Sequence, residues 1–380
     1  IRRRNFIRPQ QMPYKTAIGE TYDCGEFEAI MDDALALADW NGFEARRQDS
    51  QRRGKLRGRG LSVYIEVCAT ISDRMEIRFD AMGGLSILAG TFSYGQGHET
   101  SYAQMVHEWL GVPIEQIRFV QGDTDKIANG RGSFGSRSMT VGGSALKAAC
   151  QEVIDRGRQV AGILLDVPPD TLSFERGIYS CGSKSITLDK VARTTYAWGV
   201  PKPLPAELWN GLEGRGYFNA NPQNYPNGCY IAEVEVDPQT GQVELSEVVA
   251  VDDVGVAINP LLLEGQIHGG IVQAAGQALK EQIIHAPDGQ LLTGSFTDYA
   301  MPHAGDFPRF KTALRPVPTR TNPLGVKGGA ETGTVGLPPA IIGAIVDALQ
   351  PLGVRDMPMP ATPMTVWQAI TRATSSKASA

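Results

Sequence analysis

Three glycine-rich segments carry polar side chains at spacings suited to a phosphorylated ligand or to proton transfer. The first, Gly95-Gln96-Gly97-His98-Glu99-Thr100, separates an alternating apolar stretch from an amphipathic one. Glycines there let the backbone approach a ligand, and unbonded N–H groups at a helix start favour an anion. A tight turn entering a helix has the same spacing, and both readings stand. The second, Gly130-Arg131-Gly132-Ser133-Phe134-Gly135-Ser136-Arg137-Ser138, gathers hydroxyls, a guanidinium and free amides. That inventory suits a pyrophosphate or a nucleotide base, and equally a flexible loop ending in a capping serine. Gly142-Gly143 follows at a cost of about 1 kcal/mol each relative to alanine in a helix, which a close approach to another group would explain. The third, Gly325-Val326-Lys327-Gly328-Gly329-Ala330-Glu331-Thr332-Gly333, embeds one glutamate among glycine and apolar neighbours. A carboxylate with few routes to water can serve as a general base; a solvated surface glutamate is the plainer alternative.

Other chemistries have no anchor. The sequence contains no G-x-S-x-G elbow and no G-x-x-x-x-G-K-[ST] phosphate loop. Its five cysteines (Cys24, Cys68, Cys150, Cys181, Cys229) never form C-x-x-C, and its five histidines contain no H-x-x-x-H pair. A disulfide framework and a zinc site therefore lack support, and a reducing cytoplasm is the default compartment. The net charge of -5 gives no general attraction to nucleic acid or anionic membrane. A basic run from Arg46 to Arg59 is the exception. It reads either as a dock for phosphate or an acidic partner, or as a solvated connector between a helix and a strand. No stretch of about 18 apolar residues is evident, so no membrane span is expected. The chain opens at Ile1 without an initiator methionine and reads as one entered midway.

The elements that must position these segments follow from periodicity. With 380 residues, 42% hydrophobic, the chain can bury the cores of two domains. Phe27, Ile30, Met31, Ala34 and Ala38 predict a helix near 26–46. Met75, Ile77 and Phe79 alternate, Gly83-Gly84 turns, and Leu85, Ile87 and Ala89 alternate back as a hairpin. Tyr102, Met105, Val106, Trp109 and Leu110 predict a helix from near His98, with a strand over Ile117 to Val120 and a long helix from Ser138 to Leu165. Residues 197–228, rich in Pro, Gly and Asn, read as a linker, one whose two aromatic clusters suggest that it packs down. Beyond it come the strand of Tyr230, Ala232, Val234 and Val236, a partner strand after Pro238-Gln239-Thr240-Gly241, and a small-residue helix over 261–280. A final helix has Pro338-Pro339 in its first turn. The fold class is α+β, two units of β-hairpins and meanders covered by helices.

In this order the segments resemble the molybdenum hydroxylase family of xanthine dehydrogenases, aldehyde oxidoreductases and carbon monoxide dehydrogenases. The resemblance rests on Arg2-Arg3-Arg4-Asn5, Met12-Pro13-Tyr14, Tyr22-Asp23-Cys24-Gly25, Gly95 to Thr100, Gly122-Asp123-Thr124-Asp125 and Gly135 to Ser138. It continues through Glu233 to Asp237, Asn259-Pro260, Glu264 to Gly270, Asn322-Pro323-Leu324-Gly325 and Pro360-Ala361-Thr362-Pro363.

It implies the C-terminal part of a molybdopterin-binding subunit: residues 1–56 as the tail of a preceding domain, then subdomains over 57–197 and 198–380. It further implies that Gly95, Gln96, Gly97, Gly135, Ser136, Arg137, Ser138, Gln273, Lys327 and Gly328 hold molybdopterin cytosine dinucleotide. Glu331 would be the base that accepts a proton as oxygen attacks an electrophilic carbon of a small-molecule substrate. The pterin dithiolene binds the molybdenum, so no protein ligand to the metal is expected. The implied partners are the N-terminal half of the molybdopterin subunit, a 2Fe-2S subunit and an FAD subunit. Two glycines of the family pattern are alanines here, Ala274 and Ala330. A positive φ at residue 330 would strain the loop before Glu331, and a non-catalytic cofactor-binding or assembly subunit is the alternative reading.

Overall fold

The computed structural model describes residues 1–69, 71–196, 203–209 and 211–378. Two compact units share the chain discontinuously. Unit 1 comprises Ile1–Val67, Tyr225–Thr319 and Gly328–Ala380; unit 2 comprises Cys68–Asn224 and Arg320–Lys327. The division expected at 197/198 lies outside the described residues.

The chain opens in unit 1 with α1 (Arg2–Asn5), β1 (Tyr14–Lys15), β2 (Thr21–Tyr22), α2 (Phe27–Leu37), α3 (Phe43–Arg52) and β3 (Leu56–Ile65). The single helix expected over 26–46 is therefore two. Asp39 takes a left-handed conformation (φ 44°), which a short polar side chain tolerates, and one tight turn over Trp40–Gly42 re-aims the chain.

Unit 2 follows with β4 (Ser72–Phe79), β5 (Leu85–Ala89), α4 (His98–Leu110), β6 (Ile117–Val120), α5 (Gly143–Leu165), β7 (Ser173–Glu175), β8 (Ile178–Cys181), β9 (Lys184–Thr187), α6 (Leu188–Thr194) and β10 (Glu213–Asn219). The hairpin pairs Met75 with Ala89, Ile77 with Ile87 and Phe79 with Leu85. Ser138–Gly142 forms a π turn leading into α5. The close approach expected at Gly142-Gly143 is to this chain itself. A Cβ on Gly142 would lie 2.8 Å from the Tyr102 hydroxyl, and one on Gly143 would lie 3.0 Å from Leu324. The stretch read as a linker contains β10, an edge strand of the sheet β10-β4-β5-β6. Its composition misled because Gly214 and Gly216 are packing residues. A Cβ on either would run into the backbone of α5, at Ala149 and Ala145 respectively.

Unit 1 then resumes with β11 (Asn227–Val236), β12 (Val243–Asp253), α7 (Pro260–Leu279), β13 (Lys311–Leu314), α8 (Thr332–Leu349) and α9 (Pro363–Ala378). The sheet order is β13-β12-β11-β3, and every residue of β11 is buried. One face carries Tyr230, Ala232, Val234 and Val236 into a core shared with α7 and α8; Cys229 and Ile231 face α2. Helix α8 starts six residues before Pro338, so both prolines lie inside it rather than in its first turn. The prolines leave the carbonyls of Thr334 and Val335 without an i+4 N–H; the Ser62 hydroxyl donates to the nearby Gly336 carbonyl. By length and composition alone, residues 332–352 could cross a membrane. Their Leu337, Ile341, Ile345 and Leu349 are instead buried in the core of unit 1.

The basic run is in part the solvated connector expected, exposed at Arg52 and Arg53 between α3 and β3, and in part a set of internal ion pairs. It spans α3 and β3 and faces the acids of β11. Arg57 donates to Glu233 at 2.7 Å and to Glu235 at 3.0 Å, Arg46 to Glu233 at 2.6 Å, and Lys55 to Asp237 at 2.7 Å. The Arg53 guanidinium, followed by the Ser50 hydroxyl, holds the Glu235 carboxyl down at about 2. Arg59 stacks over the Trp40 ring at 3.8 Å. The Arg57 pairs are cross-strand, β3 to β11; Arg46 reaches Glu233 from α3, and Lys55 meets Asp237 just outside the two strands.

Candidate functional site

In unit 2 the first glycine segment turns the chain from β5 towards α4. Gly95 (φ 130°) and Gly97 (φ 77°) both take positive φ, which favours glycine, and the space a Cβ on Gly95 would enter is open. Gly97 precedes α4 without a side-chain cap, leaving the first-turn N–H groups to another partner. The Gln96 carbonyl oxygen accepts from the Tyr94 N–H at 2.7 Å and from the Ser93 hydroxyl at 3.4 Å. Its NH₂ end is the donor the loop does not use.

The second segment is tied to the first within the same unit. Thr91 Oγ1 lies 2.9 Å from Ser133 Oγ and 2.7 Å from Ser138 Oγ, and the two serines are 2.9 Å apart. The Tyr94 hydroxyl donates to the Ser133 carbonyl at 2.9 Å, and Tyr102 to the Ser138 carbonyl at 2.6 Å. Gly135 (φ 56°) and Ser136 (φ 49°) are left-handed. Arg137, read from sequence as a donor to a ligand, is 0% exposed. Its guanidinium pairs with Asp73 at 3.1 Å and donates to the carbonyls of Gly132 at 3.0 Å and Ser72 at 2.7 Å. Burial raises the Asp73 carboxyl above its usual range even against this partner. Lys327 is buried at the end of a loop that Asn322 organises: the Asn322 side chain donates to the Val326 carbonyl at 2.8 Å and accepts from the Leu324 N–H at 3.1 Å.

In unit 1, Glu331 occupies the residue before α8 and makes no side-chain cap bond to it. Ala330 is exposed and its φ is not positive, so alanine imposes no strain there. Gly328 is buried. The start of α8 crosses α7 backbone to backbone: a Cβ on Gly270 would lie 3.1 Å from Gly333 Cα. Gln273 is exposed on α7 one turn beyond that crossing, while Ala274 is buried in the core. Gly265 and Gly269, earlier on α7, have open space where a side chain would be. A cavity of about 700 Å³ elsewhere in unit 1 touches Arg53, Glu235, Lys280 and Asp306, whose charges are spent on one another. Among the described residues, no group of three or more His, Cys, Asp or Glu side chains is placed to hold a metal ion.

Two features escaped the sequence reading. His98, at the first position of α4, is buried with its Nδ1 unpartnered, and burial lowers its pKa to about 4. Its imidazole is therefore neutral at pH 7. The signal available was its place directly after Gly97. Asp252 is wholly buried between Tyr64 and Tyr230, and an acid pair inside the apolar run Val248 to Val254 was the clue.

Within unit 2, the open turn at Gly95, the uncapped start of α4 and the orphaned buried imidazole of His98 fit an anionic cofactor held by backbone amides. The fold and these features define an α+β cofactor-binding protein. The molybdopterin cofactor-binding domain family matches residues 33–308, and the chain belongs to that family. The carbon monoxide dehydrogenase large chain of Hydrogenophaga pseudoflava is 33% identical over 97% of this chain and 48% of its own length. The nicotine 6-hydroxylase large subunit of Paenarthrobacter nicotinovorans is 33% identical over 97% of this chain and 47% of its own. The chain thus spans about half the length of the curated relatives it matches. Among solved structures, Cu,Mo-CO dehydrogenase superposes with a TM-score of 0.88 at 30% identity, over 98% of this chain and 49% of that one. Quinoline 2-oxidoreductase from Pseudomonas putida 86 gives 0.88 at 30% identity, over 97% and 49%.

Proposed function

We propose that this chain is the C-terminal part of the large subunit of a cytoplasmic molybdenum hydroxylase. The whole enzyme oxidises an aldehyde or N-heteroaromatic carbon with water as the oxygen source. Electrons leave to 2Fe-2S and FAD centres on partner subunits, and the N-terminal half of the molybdopterin subunit completes the protein. Relatives named for carbon monoxide and nicotine support oxidation at a carbon centre. When bound, molybdopterin cytosine dinucleotide supplies the metal centre that accepts two electrons.

This chain's residues supply binding and proton transfer. Gly95 and Gly97 open the backbone to the cofactor, and the Gln96 amide, Ser136 and Ser138 offer donors. The family resemblance adds Gly135 and Lys327 in unit 2, and Gln273 and Gly328 in unit 1, as further cofactor contacts. Arg137 acts one step removed, by fixing the loop through Asp73. Glu331 accepts the proton released as the water-derived oxygen attacks substrate.

The observation that carries this reading is the seat of Glu331. It precedes a helix whose start is locked against α7 at Gly270 and Gly333, the rigid support a positioned base needs. The non-catalytic alternative rests on Ala330 and on the part-length match; Ala330 has no positive φ, which takes away the strain argument alone.

The test is molybdenum and released CMP measured on the chain co-purified with its natural upstream polypeptide. Near one of each per complex is expected. Glu331→Gln should abolish turnover with both contents intact. A folded, assembled complex holding neither would end the proposal.

A further inference from the structure

Asp252 sits on β12 directly across from Gly228 of β11, which in turn faces Tyr64 of β3. A Cβ on Gly228 would lie 2.7 Å from the Tyr64 ring and still closer than a normal hydrogen bond to the carboxylate. The missing side chain is the room in which the acid lies. Tyr64 donates to its Oδ1 at 2.6 Å and Tyr230 to its Oδ2 at 2.9 Å. The Tyr230 hydroxyl is also 3.4 Å from Thr332 Oγ1, and Thr332 Oγ1 is 3.4 Å from the Gly329 carbonyl. Thr332 is the first residue of α8 and follows Glu331. This polar chain thus runs from the sheet interior to the loop that carries the proposed base.

Among the described residues, no cation faces the acid. On β12 its neighbour is Asp253, on β11 Tyr230, and at the end of β3 Tyr64 and Glu66. On α8 the facing group is Thr332, beside Glu331. Arg315, whose backbone N–H bonds the Asp252 carbonyl at 2.9 Å, spends its guanidinium on Glu26 and Asp33. An ion buried without a counter-ion is costly, so two phenols alone hold the charge poorly. Burial raises the Asp252 carboxyl to about 7.

We propose that Asp252 is a positioning residue for Glu331, acting through Tyr230 and Thr332 on the loop that starts α8. This rests on the reading of Glu331 as the base. With Asp252 ionised, Tyr230 donates to Oδ2 and Thr332 donates to Tyr230. With Asp252 protonated, its Oδ2–H donates to Tyr230, Tyr230 donates to Thr332, and Thr332 donates to the Gly329 carbonyl. One added proton on Asp252 reverses the chain and closes a bond across the loop before Glu331; no other proton is gained or lost.

The test uses the assembled complex with Tyr230→Phe, Tyr64→Phe and Asp252→Asn. Amide hydrogen exchange over residues 329–335 is the reading that needs no turnover. In the parent protein, exchange there, corrected for intrinsic rates, should rise as pH passes through about 7. Asp252→Asn should remove that step. Tyr230→Phe should speed exchange there roughly fivefold, about the worth of one hydrogen bond, and Tyr64→Phe, which does not reach Thr332, clearly less. The pH profile of turnover should shift with Asp252→Asn and Tyr230→Phe while molybdenum content holds. Equal exchange effects of the two tyrosine variants, or a pH step that survives Asp252→Asn, would overturn the inference. If the exchange step behaves as expected but Glu331→Gln retains turnover, the device stands and the reading of Glu331 fails.

Discussion

Each unit lays a strand with glycines at alternate positions beneath an alanine-lined helix. In unit 1, Gly58 and Gly60 of β3 face Ala340, Ala344 and Ala348 of α8. In unit 2, Gly214 and Gly216 of β10 face Ala145 and Ala149 of α5. The units differ at the start of that helix. α5 is entered through left-handed Gly135 and Ser136 and a π turn, anchored by the buried Arg137–Asp73 pair. α8 is entered with no left-handed residue from Val326 onward, and its first residue hangs on hydroxyls that lead to Asp252. Close helix–sheet packing is thus a shared device, and the helix start is where each unit is specialised. One start is a fixed cradle; the other responds to a proton.

The shared device is the place to break both units at once. Gly216→Val and Gly60→Val each drive a side chain into helix backbone, which cannot move aside as a side chain would. Each should cost about 3 kcal/mol or more, read as a lower melting temperature or as loss of soluble complex. Gly265→Ala is the control, because its side chain would enter open space. It should be neutral or stabilise by up to about 1 kcal/mol. Glycine variants no worse than that control would remove the common packing from the comparison.

The difference between the units is sharpened by attacking the anchors. Arg137→Met leaves Asp73 buried without its cation and should cost about 3–5 kcal/mol. Lost amide protection should be confined to unit 2, with bound CMP falling as the Gly132–Ser138 loop loosens. Thr332→Val removes one hydroxyl from the other anchor and should cost about 1 kcal/mol, with cofactor content unchanged. Similar losses from the two variants would mean that the starts of α5 and α8 are held alike.

How much of this was legible in the sequence follows from the same contrast. The hairpin over Met75 to Ala89 and the helices of Tyr102 and Leu146 were readable because one-sided burial imposes a period of two or 3.6 residues. β10 was misread because its glycines are a packing surface. Composition cannot separate a glycine that makes room for a helix from one that loosens a loop. Glu331 was picked out by its apolar setting, and Gly95 to Gly97 by their spacing. Arg137 was named as a ligand donor because a guanidinium in a glycine loop looks available. Only its distance to Asp73, 64 positions earlier in the chain, shows it spent. Asp252 shows in the sequence only as half of an acid pair in an apolar run, since its partners Tyr64 and Tyr230 come from two other strands.

The smallest predicted effect tests the start of α8 most directly. Where a residue needs positive φ, exchanging alanine for glycine relieves strain. Where it does not, the exchange only adds freedom to the unfolded chain and costs about 0.4–1 kcal/mol. Ala330 has no positive φ, so Ala330→Gly should lower stability by that small amount and leave turnover and cofactor content alone. A gain in turnover would mean that the loop before Glu331 works in a conformation alanine resists, and would make this helix start resemble that of α5. A small loss of stability with unchanged turnover would keep the two starts distinct, one built on left-handed residues and the other on ordinary backbone tied down by hydroxyls.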